Sequence, residues 1–165
     1  MKVNFALFPL RHPVELTRRL RNRLAHTLLN FTAQQGGSCG AQNQATRDAW
    51  LERILSAIAP GSRILDAGAG ELQYKRFCAH LDYVSQDFAQ YDGKGAGIGL
   101  QTGHWDQSRL DIVSDITAIP EADASFDAVL CVEVLEHIPY PVDALAELTR
   151  LLKPGGVLAL TAPFC

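Results

Sequence analysis

The feature that most constrains this chain is Ile64-Leu65-Asp66-Ala67-Gly68-Ala69-Gly70. A short apolar run ends in an acid, and two glycines one residue apart follow it. Glycines so placed let the chain turn sharply at the end of a strand, and their missing side chains admit a ligand to the backbone. A second acid, Asp87, ends the next apolar segment 21 residues after Asp66, and a third, Asp115, ends the one after that. At this spacing a carboxylate at the second strand end can accept hydrogen bonds from both hydroxyls of a ribose.

The surrounding periodicity supplies the frame. Strands are expected at 63–66, 82–87, 111–115, 126–132 and 157–161, with helices at 46–59, 71–80 and 141–152 between them. Pro60-Gly61 stops the first of these helices and Pro154-Gly155-Gly156 follows the last. Strands alternating with helical segments predict an α/β fold: a doubly wound, mostly parallel, Rossmann-like sheet with helices on both faces. The last strand, apolar on both faces, is expected at an exposed sheet edge, as if the final two strands of such a sheet were lacking.

Charge divides the chain of 165 residues. Residues 1–47 carry +6 and residues 48–165 carry −9. This predicts a basic helical N-terminal segment over 1–45 and a core over 46–165. Leu16, Leu20, Leu24 and Leu28 form a stripe on a helix over 13–33, with arginines mostly on its other sides. That helix suits a lid, a peripheral membrane contact, an RNA contact, or plain packing on the sheet. An acidic core is a poor general binder of nucleic acid, so no specific nucleic-acid partner is expected. No apolar run reaches the roughly 20 residues of a membrane helix. The amino terminus lacks a small-residue cleavage site. A cytoplasmic protein is expected.

Other candidates carry less. Cys39, Cys78, Cys131 and Cys165 lie far apart with no Cys-x-x-Cys pair, which predicts neither a metal site nor a disulfide framework. Five glycines between Gly93 and Gly103 suggest a surface loop or lid, since no Gly-Lys-Ser/Thr follows the required spacer. Where a dinucleotide fingerprint wants its third glycine this chain has Gln73 or Tyr74, and an acid closing the first strand disfavours pyrophosphate. A cationic nucleoside fits better. Trp105 and Tyr140 are assigned to packing.

The ordered set resembles the class I S-adenosylmethionine-dependent methyltransferases. It comprises Asp66-x-Gly68-x-Gly70, the acid Asp87, Ser114-Asp115-Ile116, the run from Phe126 through Glu133 to Ile138, and Leu152-Lys153-Pro154-Gly155-Gly156. The resemblance covers about residues 46–165. It implies S-adenosylmethionine as cofactor, with Asp66, Gly68 and Gly70 around its methionine part and Asp87 on the ribose. Asp115 then faces the adenine amine, with the Ile116 N–H beside the base. Val132 and Glu133 fall near both cofactor and acceptor. Glu71-Leu72 departs from the family, many members of which carry a further small residue there. Glu133 and His137 are the candidate bases, each with a structural reading beside it. The implied activity is methyl transfer to a small-molecule acceptor; the alternative is a non-catalytic nucleoside-binding or interaction domain of the same fold.

Overall fold

A computed structural model describes the backbone of residues 2–9 and residues 43–90, 106 and 108–164. The helix expected over 13–33 and the glycine-rich loop of 92–103 lie outside the described residues. The elements, in chain order, are β1 (Lys2–Pro9), α1 (Asn43–Ser56), β2 (Arg63–Ala67), β3 (Asp82–Asp87), β4 (Ile112–Val113), β5 (Phe126–Val132), α2 (Pro141–Leu151) and β6 (Leu152–Phe164). They build one six-stranded sheet in the order β1-β6-β5-β2-β3-β4. All neighbouring pairs are parallel except β1 with β6. This is the α/β Rossmann-like sheet that the strand–helix alternation predicts.

The period-two alternation of side chains across the strands divides the core. On one face Leu65, Ala67, Val129, Cys131 and Leu158 pack with Ala144, Leu148 and Leu151 of α2. On the other, Ile64, Ala128, Leu130, Val132 and Ala159 pack with Trp50, Leu51 and Leu55 of α1. Among the described residues one helix covers each face, so the central strands read as continuous apolar runs. Each fully buried leucine contributes about 1.5–3 kcal/mol of transfer free energy.

Four expectations are corrected in detail. Helix α1 runs over 43–56, not 46–59; residues 57 and 58 close with i→i+3 bonds that tighten its last turn. No helix fills 71–80. Leu72 takes a left-handed φ of 63°, and the segment proceeds through i→i+3 turns with one 3-10 turn at Lys75–Phe77. Only Ile112 and Val113 of the expected 111–115 strand form ladder bonds, because Asp111 offers its carboxylate to the N–H and hydroxyl of Ser85 at 2.9 and 2.6 Å. Finally, β6 is not an edge. It extends over 152–164, and β1 pairs antiparallel along it from Lys2↔Phe164 to Pro9↔Val157.

The turn inside β6 has a packing cause. The register shifts from Phe126↔Leu152 to Ala128↔Val157, which places extra residues opposite one position of β5. A Cβ on Gly156 would lie 2.9 Å from the Lys153 carbonyl oxygen and 3.0 Å from that of Asp127. Glycine is the residue that fits there.

Candidate functional site

Parallel strands place all their carboxyl ends at one edge of the sheet, where ligands of such folds bind. Here that edge gathers the turn after β2, Asp87 closing β3, the Ser114–Thr117 turn after β4, and Glu133 after β5.

The glycine turn is held by its neighbour strand. The Gln86 carbonyl accepts the N–H groups of Gly68 and Ala69 at 2.8 and 2.9 Å, and Asp87 Oδ2 accepts that of Gly70 at 2.9 Å. Gly68 has a φ of +79°, and a Cβ there would come within 2.4 Å of Val134 Cγ2. Both the backbone conformation and the space demand glycine. Gly70 has a φ of 51°.

The three strand-end acids occupy adjacent positions, yet their environments differ. Asp66 is buried, and its carboxyl accepts the Tyr83 hydroxyl at 2.5 Å. Burial pushes its pKa up to about 7; the Tyr83 bond opposes that shift, and the field of Asp87 adds to it. Asp87 spends one oxygen on Gly70 and the other on the N–H of Ala89 at 3.0 Å. Two carboxylate oxygens offer about four acceptor positions, so it retains capacity for two further donors. Asp115 is exposed and turns back on itself. Its Oδ1 accepts the N–H and hydroxyl of Thr117, both at 2.8 Å, and these bonds hold its pKa below the usual carboxylate range. Ile116 is buried against the α2 face, and Val132 against the α1 face.

Glu133 departs from the picture of a free base. It follows β5 at a φ of 54°; its N–H points to the Thr161 carbonyl at 3.1 Å, and its Oε1 accepts the Thr161 hydroxyl at 2.8 Å. Its Oε2 meets Arg47 Nη1 at 3.2 Å. His137 lies in a 3-10 turn (Leu135–His137) with an exposed imidazole, 3.8 Å from Glu136 Oε1. Tyr140 is exposed rather than packed.

Arg47 is the residue that the sequence analysis missed. It is buried on α1, and its Nε has no hydrogen-bond partner among the described residues. The signal was there: Arg47 falls three and four positions before Trp50 and Leu51, on the apolar stripe of its own helix. A guanidinium on a buried stripe needs acidic company.

Among the described residues no cluster of three His, Cys, Asp or Glu is placed to hold a metal ion. No described helix is long and apolar enough to cross a membrane. Cys78 and Cys131 are free and buried, and burial lifts both thiols to about 12, so neither is a thiolate at neutral pH.

Comparison with known proteins adds the lineage. Residues 65–160 match a family model described as a methyltransferase domain. A demethylmenaquinone methyltransferase of Renibacterium salmoninarum is 37% identical over 116 residues, 67% of this chain and 46% of that protein. A ubiquinone biosynthesis O-methyltransferase of Xanthomonas campestris is 36% identical over 115 residues, 67% of this chain and 47% of that protein. The chain thus spans about half the length of these relatives. Among solved structures, a candidate methyltransferase of Bacillus halodurans C-125 superposes with a TM-score of 0.54 at 25% identity, over 70% of this chain and 50% of that one. The [4+2]-cyclase SpnF shares the fold at the same TM-score and 24% identity, over 76% of this chain and 48% of its own.

Proposed function

From the premise that the chain belongs to the class I S-adenosylmethionine-dependent methyltransferases, we propose that its sheet edge binds that cofactor and transfers its methyl group to a small aromatic acceptor of the quinol type. The observation that carries this reading is the glycine turn, whose three successive N–H groups are held by Gln86 and Asp87. It brings bare backbone beside a carboxylate that has acceptor positions to spare for ribose hydroxyls. Asp66, Gly68 and Gly70 border the methionine part, Asp87 the ribose, and Asp115 and Ile116 the base, with Val132 between cofactor and acceptor. Arg47, with its Nε donor in reserve, faces the carboxylate of the methionine part.

The cofactor supplies an activated methyl on a sulfonium, whose departure leaves a neutral thioether. The residues therefore need to align acceptor oxygen, methyl and sulfur and to keep water out. An acceptor that took up the methyl would have a proton to lose, which calls for a base on the chain. Glu133, engaged by Arg47 and Thr161, shapes the acceptor side. His137, whose imidazole is exposed, takes the proton. The acceptor class is supported by the two relatives, one named for demethylmenaquinone and one for ubiquinone biosynthesis, and by the rim of the site. Phe88, Val113, Tyr140 and Val142, the exposed large hydrophobic residues among those described, all lie at strand carboxyl ends or at the start of α2, on this same edge.

Calorimetric titration with S-adenosylhomocysteine tests the cofactor reading; absence of binding rejects it. Transfer of labelled methyl from S-adenosylmethionine to a quinol tests the activity. The fold shared with a cyclase favours one competing reading, a domain that binds the nucleoside without methyl transfer. Binding with no transfer to any quinol or catechol would favour that reading.

A further inference from the structure

Gln86 is a buried primary amide that the proposed chemistry leaves without a task. Its Nε2 donates to the Ser114 carbonyl at 2.7 Å and approaches Ser114 Oγ at 3.4 Å. Its Oε1 is buried with no partner among the described residues. An orphaned buried acceptor is costly, and a methionine of similar length would avoid that cost while giving up the bond to Ser114. The two effects oppose each other, so the amide brings little net stability. Its place in the sheet is more telling. The Gln86 carbonyl holds Gly68 and Ala69, while its side chain holds the residue that opens the Asp115 turn. The Asp87 carbonyl completes the join by accepting the Ser114 N–H at 3.1 Å. Both loops of the nucleoside site are thus fixed from one dipeptide.

We propose that Gln86 is a positioning residue of the nucleoside site: its amide sets the Ser114–Thr117 turn relative to the Gly68–Gly70 turn, and so governs discrimination at the base end of the ligand. This rests on the cofactor reading above, deepening it at one residue that touches no ligand itself.

The test compares the whole chain with Gln86→Met and Gln86→Leu. Affinities are measured for S-adenosylhomocysteine and for its inosine counterpart, in which an oxo group replaces the 6-amino group. The unmodified protein is expected to prefer the adenosine compound. Gln86→Met should narrow that preference about 3- to 10-fold, the effect of one lost hydrogen bond, with little change in the urea unfolding midpoint. Amide exchange in the ligand-free protein should quicken about as much at Ser114–Thr117 and stay unchanged at Val129 and Cys131. Gln86→Leu likewise removes the donor and the orphaned acceptor without burying a charge, so it carries the same expectation if the methionine variant does not fold. An unaltered preference with unaltered exchange overturns the proposal. So does an equal loss of both affinities accompanied by a lower unfolding midpoint, the mark of a merely structural residue. If the unmodified protein binds neither compound, the cofactor reading falls. Exchange then decides alone: faster exchange at Ser114–Thr117 upholds the positioning of the turn, and unchanged exchange rejects it.

Discussion

At the scale of single residues, Gly68 carries two separable demands. A methyl there meets Val134 at 2.4 Å, and the φ of +79° is one that L residues rarely adopt. Gly68→Ala is expected to cost about 1–3 kcal/mol in urea unfolding. Adding Val134→Ala should return only the steric part, leaving the left-handed conformation to be accounted for. Asp66 gives a pH signature of definite sign. Its folded pKa, raised to about 7, lies above the ordinary 3.8, so between those values the folded chain keeps a proton that the unfolded chain releases. Its contribution is therefore full below about pH 4 and is lost as pH rises toward 7. Asp66→Asn should flatten that slope, worth on the order of 2–4 kcal/mol across the window. Unfolding curves collected from pH 4 to 8 check it; an unchanged slope would place the titration elsewhere. Asp87→Ala is expected to weaken S-adenosylhomocysteine by about 1.5–3 kcal/mol in calorimetry, since a charge-assisted contact disappears and the Gly70 N–H loses its acceptor.

At the scale of elements, α1 contributes an ion pair to the site as well as a lid on the core. Arg47→Leu keeps the apolar stripe of Trp50, Leu51 and Leu55 intact. It should lower S-adenosylhomocysteine affinity about tenfold or more, as a charge-assisted contact does, while the unfolding midpoint moves little. A large fall in the midpoint with unchanged affinity would make Arg47 structural. The same helix shows what the sequence made legible and what it hid. Strands β3 and β5 were readable to the residue, because a run such as Phe126–Val132 can be buried on both faces only inside a parallel sheet. The stripe of α1 is legible too, at Trp50, Leu51 and Leu55, but the arginine on it counts in the sequence only toward the +6 of residues 1–47. Its ion-pair partner, Glu133, is more than 80 residues away in sequence. The segment 71–80 misled for a local reason: Leu72 is an ordinary helix former, yet it sits left-handed just after the glycine turn. The acids at 66 and 87 fall at the ends of adjacent strands as expected, whereas Asp115 lies two residues beyond the last ladder residue of β4. Their differing states were not legible, since Tyr83, Gly70 and Thr117 select them only once folded.

At the scale of the whole molecule, one side of the open sheet is extended by β1 pairing along β6. A strand with apolar side chains on both faces and an unpaired row of N–H and C=O groups is a template for other chains. β6 carries Leu158 and Leu160 on one face and Val157 and Ala159 on the other, which made it the weak point of the sequence reading. Pairing with β1 occupies its free side over eight residues and turns an otherwise parallel sheet antiparallel at that edge. Removing residues 1–9 should therefore leave the Asp66–Asp87 region intact but open β6 to its own kind. Light scattering of the shortened chain should rise with concentration, and amides of β6 should lose protection while those of β2 and β3 keep theirs. Placing a lysine on the opened strand, as Ala162→Lys in the shortened chain, should suppress the association without restoring the protection, because charge blocks strand addition but supplies no ladder bonds. A shortened chain that stays monomeric with β6 amides as protected as before would mean that the edge owes its order to something other than β1.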